Sequence, residues 1–263
     1  MSRIDPEVRI RFTSPHPKDF PLPLLQLIAE RPSLCKSLHL PAQSGSSAVL
    51  QRMRRGYTRE AYLALAEQAR AVIPGVALSS DFIAGFCGET EADHQATLSL
   101  MEAVGYEQAF MFAYSMRERT HAAYKLEDDV PEAMKQRRLS EIIATFRRRV
   151  TERNAVEVGS EHLVLVEGHS KRSSPANPTL TGRTDSNKRC VFSAAGDVLA
   201  DADDPTGPRV PLKPGDYAVV RVAEAKTQTL VCEPIGRSGI EAFESRRRRR
   251  GMRPAHGVVA EMY

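Results

Sequence analysis

The sequence contains no tryptophan, and only 6% of its residues are aromatic. It has no apolar run of the roughly 18 residues that a spanning helix needs, which excludes a helical membrane protein. Cysteine is sparse: Cys35, Cys87, Cys190 and Cys232 lie far apart, with no Cys-x-x-Cys pair anywhere. That spacing excludes a disulfide framework, a zinc ribbon and a locally ligated iron–sulfur cluster. Cys87 reads as a small buried residue, and none of the seven histidines falls in a His-x-x-x-His pair. No metal ligand and no catalytic residue is assigned. The first 20 residues lack a long apolar core and carry Asp5, Glu7 and Asp19, so neither a signal peptide nor a transit peptide is visible.

What is present is an alternation of strands and helices. VRIRFTSPHP (8–17) reads as a strand and a Pro-bounded loop, and SLHLPAQSGS (37–46) as a second strand ending in a polar turn. Helical spacing follows from Ser47 to Val72, with Ala61, Leu65, Ala66 and Ala69 on one face. SSDFIAGFCGET (79–90) is the most informative stretch: a buried-type strand, a Gly85-x-x-Gly88-Glu89 turn, then acids where a helix begins. A helix around 91–104 leads to a fourth strand, QAFMFAYS (108–115). Four such units predict parallel βαβ structure with ligands held at the carboxyl ends of the strands.

These segments, with MRRGYTREAY, resemble the last four strand–loop units of MiaB-type tRNA methylthiotransferases, and the TSPHP loop favours the isopentenyladenosine branch. The resemblance continues through KLEDDVPEAMKQRRL and LVLVEGHSKRS, covering roughly residues 8–236. It implies an α/β chain: a partial radical S-adenosylmethionine (β/α) barrel over 1–130, then a connecting basic amphipathic helix over 131–158. It further implies a small all-β, OB-like TRAM barrel over 159–237. The family uses S-adenosylmethionine and two [4Fe–4S] clusters, and the cluster motif Cys-x-x-x-Cys-x-x-Cys is absent from this sequence. The expectation is therefore a carboxyl half, inactive alone, that pairs with a complementary amino-terminal half. The alternatives are a noncatalytic product that binds tRNA or a partner, and an incomplete product with no function. The family also implies a mitochondrial location, the cytoplasm being the alternative.

Site residues follow from the same resemblance. Gln43, Ser44, Gly45, Gly85, Gly88 and Glu89 are the expected contacts to S-adenosylmethionine, and Ser14 and His16 face the cavity from the first loop. His39 reads as a satisfied core histidine. Arg54 and Arg55 pair either with the cofactor carboxylate, with RNA phosphate, or in a surface salt bridge.

Charge separates the two halves. Residues 1–130 hold 14 Lys+Arg against 16 Asp+Glu, whereas residues 131–263 hold 23 against 17. A basic half suits an anionic partner, and the family implies the anticodon stem-loop of tRNA. Asp128, Asp129 and Pro131 read as a helix start, with Leu139, Ile142, Ile143, Phe146 and Val150 as its apolar stripe. The arginines at 137, 138, 147, 148, 149 and 153 fall mostly outside that stripe and either line an RNA path or are solvated. From Glu161 the pattern turns to short strands: 163–168, a hairpin over 180–192, 214–225 and 228–235. Gly182, Arg183, Thr184 and Asn187 match the Gly-Arg-x-x-x-Asn segment of TRAM domains. Lys171, Arg172, Arg183, Lys188 and Arg189 are the candidate phosphate contacts. The tail over 238–263, with Arg246–Arg250 in one run, reads as a disordered polybasic segment.

Overall fold

The apolar runs of the first half pair in parallel, and the helices between them cover one face of the sheet. A computed structural model describes residues 5–12, 16–17, 20–193 and 198–251. In chain order the first region comprises α1 (Leu22–Glu30), β1 (Ser37–His39), α2 (Ser47–Arg52), α3 (Arg59–Val72), β2 (Ala77–Ala84), α4 (Glu91–Val104), β3 (Gln108–Ala113), α5 (His121–Lys125) and α6 (Glu132–Ala155). The sheet has the order β1-β2-β3, with His39 opposite Ser79 and Phe82 opposite Met111. Leu38, Leu78, Phe82 and Ala84 meet Leu25, Ile28, Tyr62, Leu100, Ile142 and Phe146 in one core.

The expected strand over 8–13 does not form among the described residues. Ile10 makes a single bridge to Leu34, because its neighbours Arg9 and Arg11 turn toward the second region. Nor does one helix run from Ser47 to Val72. Arg54 (φ 57°) and Gly56 (φ 70°) take left-handed backbone, which breaks it into α2 and α3. Thr58 and Thr90 cap α3 and α4, and Thr90 with Asp93 forms a reciprocal capping box. At α6 the expected acidic caps are absent: Pro131 is the N-cap and offers no side chain. Asp129 instead accepts from Gly88 N (2.6 Å) and Asp128 pairs with Lys135 (2.7 Å).

The second region comprises β4 (Glu161–His169), β5 (Thr179–Arg183), β6 (Arg189–Ser193), β7 (Val198–Leu199), β8 (Val210–Pro211), β9 (Tyr217–Ala225) and β10 (Thr229–Arg237), followed by α7 (Ile240–Arg250). Five of these strands close as a barrel in the order β10-β6-β5-β4-β9 around Val164, Leu180, Cys190, Phe192, Val220 and Leu230. The expected disordered tail is corrected over its first part. Ile240 and Phe243, one helical turn apart, bury against Leu163 and Val219. Arg246, the next residue of that stripe, is 3% exposed and bonds Ala202 O (2.7 Å), Asp203 (3.0 Å) and Glu161 (3.3 Å). Residues 252–263 lie outside the described residues. Among the described residues no helix is long and apolar enough to cross a membrane.

Candidate functional site

Two loops meet at the carboxyl edge of the sheet. Gln43, buried and with a left-handed φ of 66°, bridges to β2: its N–H donates to Asp81 O (2.8 Å) and its carbonyl accepts from Ile83 N (2.9 Å). Strained backbone of this kind persists where surroundings enforce it. The Gly85–Gly88 turn continues β2, with φ of 77° and 69° at its two glycines. A side chain at Gly85 would also strike Lys135 Cγ at 2.3 Å, so α6 can approach only a glycine here.

The other expected cofactor contacts are committed inside the protein. Ser44 Oγ lies 3.3 Å from Thr97 Oγ1, and Gly45 N–H donates to the same hydroxyl (2.9 Å). A Cβ on Gly45 would meet the Ala96 carbonyl at 2.3 Å, so this glycine serves close packing on α4. Glu89 is buried, accepting from Gly85 N (2.6 Å) and Arg138 (3.0 Å). Burial raises its pKa against the lowering effect of those two donors. Glu89 thus ties the glycine turn to α6. Cys87 is buried beneath the turn with Val49 and Phe86. His16 meets Tyr57 edge-on at 5.5 Å, and Ser14 lies outside the described residues. Arg54 is exposed and Arg55 partly so.

The sheet face opposite the helices carries a group that sequence reading missed. His39 Nδ1 lies 2.9 Å from Ser79 Oγ, and its Nε2 lies 3.4 Å from Asp81. Phe110 meets His39 edge-on at 5.9 Å, and Phe110 and Phe112 are 49% and 56% exposed. The alternation in QAFMFAYS was the available signal, because every second residue of a strand shares a face. His39 is thus satisfied as expected, by Ser79 and Asp81, with its mostly buried side chain at the edge of the core beside the exposed ring of Phe110.

Helix α6 crosses the opposite layer with its arginines engaged. Arg138 bonds Glu89, Arg137 bonds Glu91 and Glu141, Arg148 and Arg149 bond Glu102 and Glu152, and Arg153 bonds Glu107. Five of the six expected RNA-path arginines are thus tied to acids, and Arg147 is exposed. Among the described residues, the one convergent group of three possible metal ligands is Glu91, His94 and Glu141, already faced by Arg137 and Arg138.

The loop matching the TRAM signature faces inward. Arg9 donates to Arg183 O (2.8 Å) and Leu163 O (2.6 Å), and Arg11 to Thr184 O (2.7 Å) and Asp185 O (3.1 Å). Lys36 N–H donates to Asp185 (3.1 Å), and Asn187 to Gln108 (3.3 Å). Lys188, a candidate phosphate contact, is buried and pairs with fully buried Glu157 at 2.8 Å; His162 meets the same carboxylate at 2.9 Å. A cation held this way is not offered to RNA, which corrects that expectation. Lys171 and Arg172 are exposed in the β4–β5 loop, at the far end of the barrel. Arg183, held by Glu167 (3.4 Å) and Asn187 O (3.2 Å), and Arg189, which donates to Thr181 (3.2 Å), are partly buried in a cleft between the two regions.

The cysteines present do not fit an iron–sulfur cluster. All four are buried, Cys35 at the foot of the sheet, Cys87 under the glycine turn, Cys190 and Cys232 in the barrel core. Burial pushes the Cys35 thiol up to about 11, and contact with Cys232 together with burial raises Cys190, the reverse of what thiolate ligands need.

Comparison with known proteins agrees with this geometry. The radical SAM superfamily matches residues 2–101 and the TRAM domain residues 155–234. The chain is 57% identical over 230 residues to the mitochondrial tRNA methylthiotransferase CDK5RAP1 of Rattus norvegicus, covering 88% of this chain and 38% of that protein. The Homo sapiens protein of that name gives 57% over 230 residues, 88% of this chain and 37% of the relative. The tRNA-2-methylthio-N(6)-dimethylallyladenosine synthase of Chlorobium phaeobacteroides (strain BS1) is 48% identical over 227 residues, 86% of this chain and 47% of the relative. The chain thus spans less than half the length of these relatives. On these matches, and on the barrel and sheet that carry them, the chain belongs to the MiaB-type radical SAM tRNA methylthiotransferase family, of which it holds a carboxyl-terminal part with its TRAM domain.

Proposed function

We propose that the chain is the positioning and RNA-binding part of an enzyme that 2-methylthiolates N6-isopentenyladenosine beside the tRNA anticodon. The observation that carries this reading is the 57% identity that runs through both regions, to relatives named for tRNA methylthiolation. Their names also support a mitochondrial location. The three-stranded sheet is read as part of a radical SAM barrel. S-adenosylmethionine, when bound and reduced, supplies the radical that starts the reaction. Gln43 and the Gly85–Gly88 turn would lie along it, with Ser44, Gly45 and Glu89 bracing that edge from beneath. Exposed Lys171 and Arg172 would meet tRNA phosphates, with Arg183 and Arg189 nearer the sheet. The four buried thiols lie in three separate places, Cys35, Cys87 and the Cys190–Cys232 pair, which speaks against a cluster site on this chain. It is read as inactive alone and as needing a complementary amino-terminal half.

A second reading, a noncatalytic tRNA-binding product, draws on the barrel, whose five strands close without an amino-terminal partner. Anaerobic iron–sulfur reconstitution, followed by visible absorption, and a tRNA titration test both readings together. The expected result is tRNA binding without a cluster. Adding a separately produced amino-terminal half should then restore methylthiolation under the first reading and not under the second. A stoichiometric cluster on this chain alone would overturn the inactivity reading, and absence of tRNA binding would overturn both.

A further inference from the structure

A cavity of about 720 Å³ opens at the foot of the sheet, between the end of α1, the start of the barrel and α7. It lies at the amino ends of β1 and β2, whereas Gln43 and the glycine turn lie at the carboxyl edge. Six cationic side chains line it against four carboxylates. Arg9 and Lys36 donate to backbone carbonyls rather than to acids: Arg9 to those of Arg183 and Leu163, Lys36 to those of Ile28, Arg31 (2.7 Å) and Leu34 (2.9 Å). Glu161 is one carboxylate shared by three guanidiniums, of Arg221 (3.1 Å), Arg246 (3.3 Å) and Arg250 (3.6 Å). Arg248 is exposed and forms no ion pair among the described residues. The walls therefore carry more positive charge than their acids balance.

The cations that a ligand can reach come from two elements, Arg221 from β9 and Arg248 and Arg250 from α7. The side chains of Arg221 and Arg250 are 53% and 51% exposed. Planar guanidinium forks match phosphate oxygens, and a surplus of positive charge on converging walls favours an anion with several charges. A cavity of this size takes a nucleotide-sized molecule. We infer that this cavity binds a free polyphosphate anion, the phosphate chain of a nucleotide or of an inorganic polyphosphate, on Arg221, Arg248 and Arg250. Arg9 and Lys36 add positive charge that no carboxylate has claimed. The site is separate from the cofactor edge and from Lys171 and Arg172, and it does not depend on the RNA-binding reading.

The test is isothermal titration calorimetry of the 263-residue chain at physiological salt, with sodium tripolyphosphate and separately with ATP. Saturable binding at a single site is expected. Arg248→Gln and Arg221→Gln should each weaken tripolyphosphate by about tenfold with an unchanged circular dichroism spectrum. Arg249 belongs to the same five-arginine run but faces Asp203 (2.9 Å) outside the cavity, so Arg249→Gln should leave the affinity unchanged. Equal affinity for the two ligands, or a preference for tripolyphosphate, would assign recognition to the phosphate chain. A preference for ATP of about tenfold would assign it to a nucleotide, and either outcome supports the site. If Arg248→Gln and Arg249→Gln weaken binding equally, the arginine run attracts anions without a built site and the inference falls. It falls as well if no saturable binding is seen, or if an equimolar anticodon stem-loop displaces tripolyphosphate, which would assign the cavity to RNA.

Discussion

The barrel and the sheet satisfy their backbones in opposite ways. The five barrel strands bond in a ring, so no strand edge is left and the core residues Cys190, Ala218 and Val220 are fully buried. Among the described residues the sheet ends at β1 and β3 and shows Phe110 and Phe112 on one face. Edges and open apolar faces invite pairing, and a closed barrel has neither. The sheet is held from outside instead: by α6 and its ion pairs along one layer, and by Arg9, Arg11 and Lys36 reaching the TRAM loop at its foot. A closed unit carries its own order, whereas an open one takes order from its neighbours.

The largest way to break that contrast is at Glu157, where the barrel holds its one fully buried carboxylate among the described residues. Glu157→Ala leaves buried Lys188 without its partner and should cost about 3–5 kcal/mol, read from the urea midpoint. A loss below about 1 kcal/mol would mean the pair is solvated and the barrel's docked end is open.

On the sheet side, Gly45→Ala drives a methyl into the backbone of Ala96 and Thr97, which cannot rotate away. A loss of about 1–3 kcal/mol is expected in thermal unfolding. Wild-type stability would show that α4 can shift, and that the sheet's helical layer is softer than its contacts imply.

Asp93 gives a smaller, pH-dependent effect. Partial burial opposes its ionisation, but hydrogen bonds from Ser46 and Thr90 and the charge of Arg52 outweigh it and hold the carboxyl below its usual range. Because the folded value is depressed, its stabilisation is present above the ordinary aspartate pKa and is lost as pH falls through the folded one. Asp93→Asn should therefore cost about 1 kcal/mol at neutral pH, with the difference shrinking in acid. A difference constant from neutral to acid pH would assign the effect to packing.

The smallest expected effect is at the open face. Phe112→Ser should change stability by no more than about 0.5 kcal/mol, because the ring is already more than half exposed. It should also reduce any self-association seen by size-exclusion chromatography. A large loss of stability would show that this face is covered in solution.

Much of the fold was legible because it is written in local patterns. The barrel strands and the turn at 185–187 follow from short β-rich runs between turn residues. The turn after β2 follows from two glycines and the acids that open α4. Helix α7 was also legible, in the spacing of Ile240, Phe243 and Arg246, but the five-arginine run masked it. Composition treats five cations as repelling, whereas Arg246, Arg249 and Arg250 each find an acid on Glu161 or Asp203. Lys188 was misread for the same reason: a lysine in a loop shows its charge in the sequence, and Glu157 is 31 positions away.

The sequence by itself determined the two-part division, the run of α/β units ahead of a β-barrel, and the family, since periodicity, glycine placement and motif are properties of neighbouring residues. Only the tertiary structure decided which charges are free. It turned the Gly-Arg-x-x-x-Asn loop toward the sheet, tied the α6 arginines to acids up to 49 positions away, and brought Phe110, Asn154 and Arg189 around one cleft. Whether a charge meets solvent or a partner depends on contacts between distant segments, and their cost or gain exists only once those segments are packed.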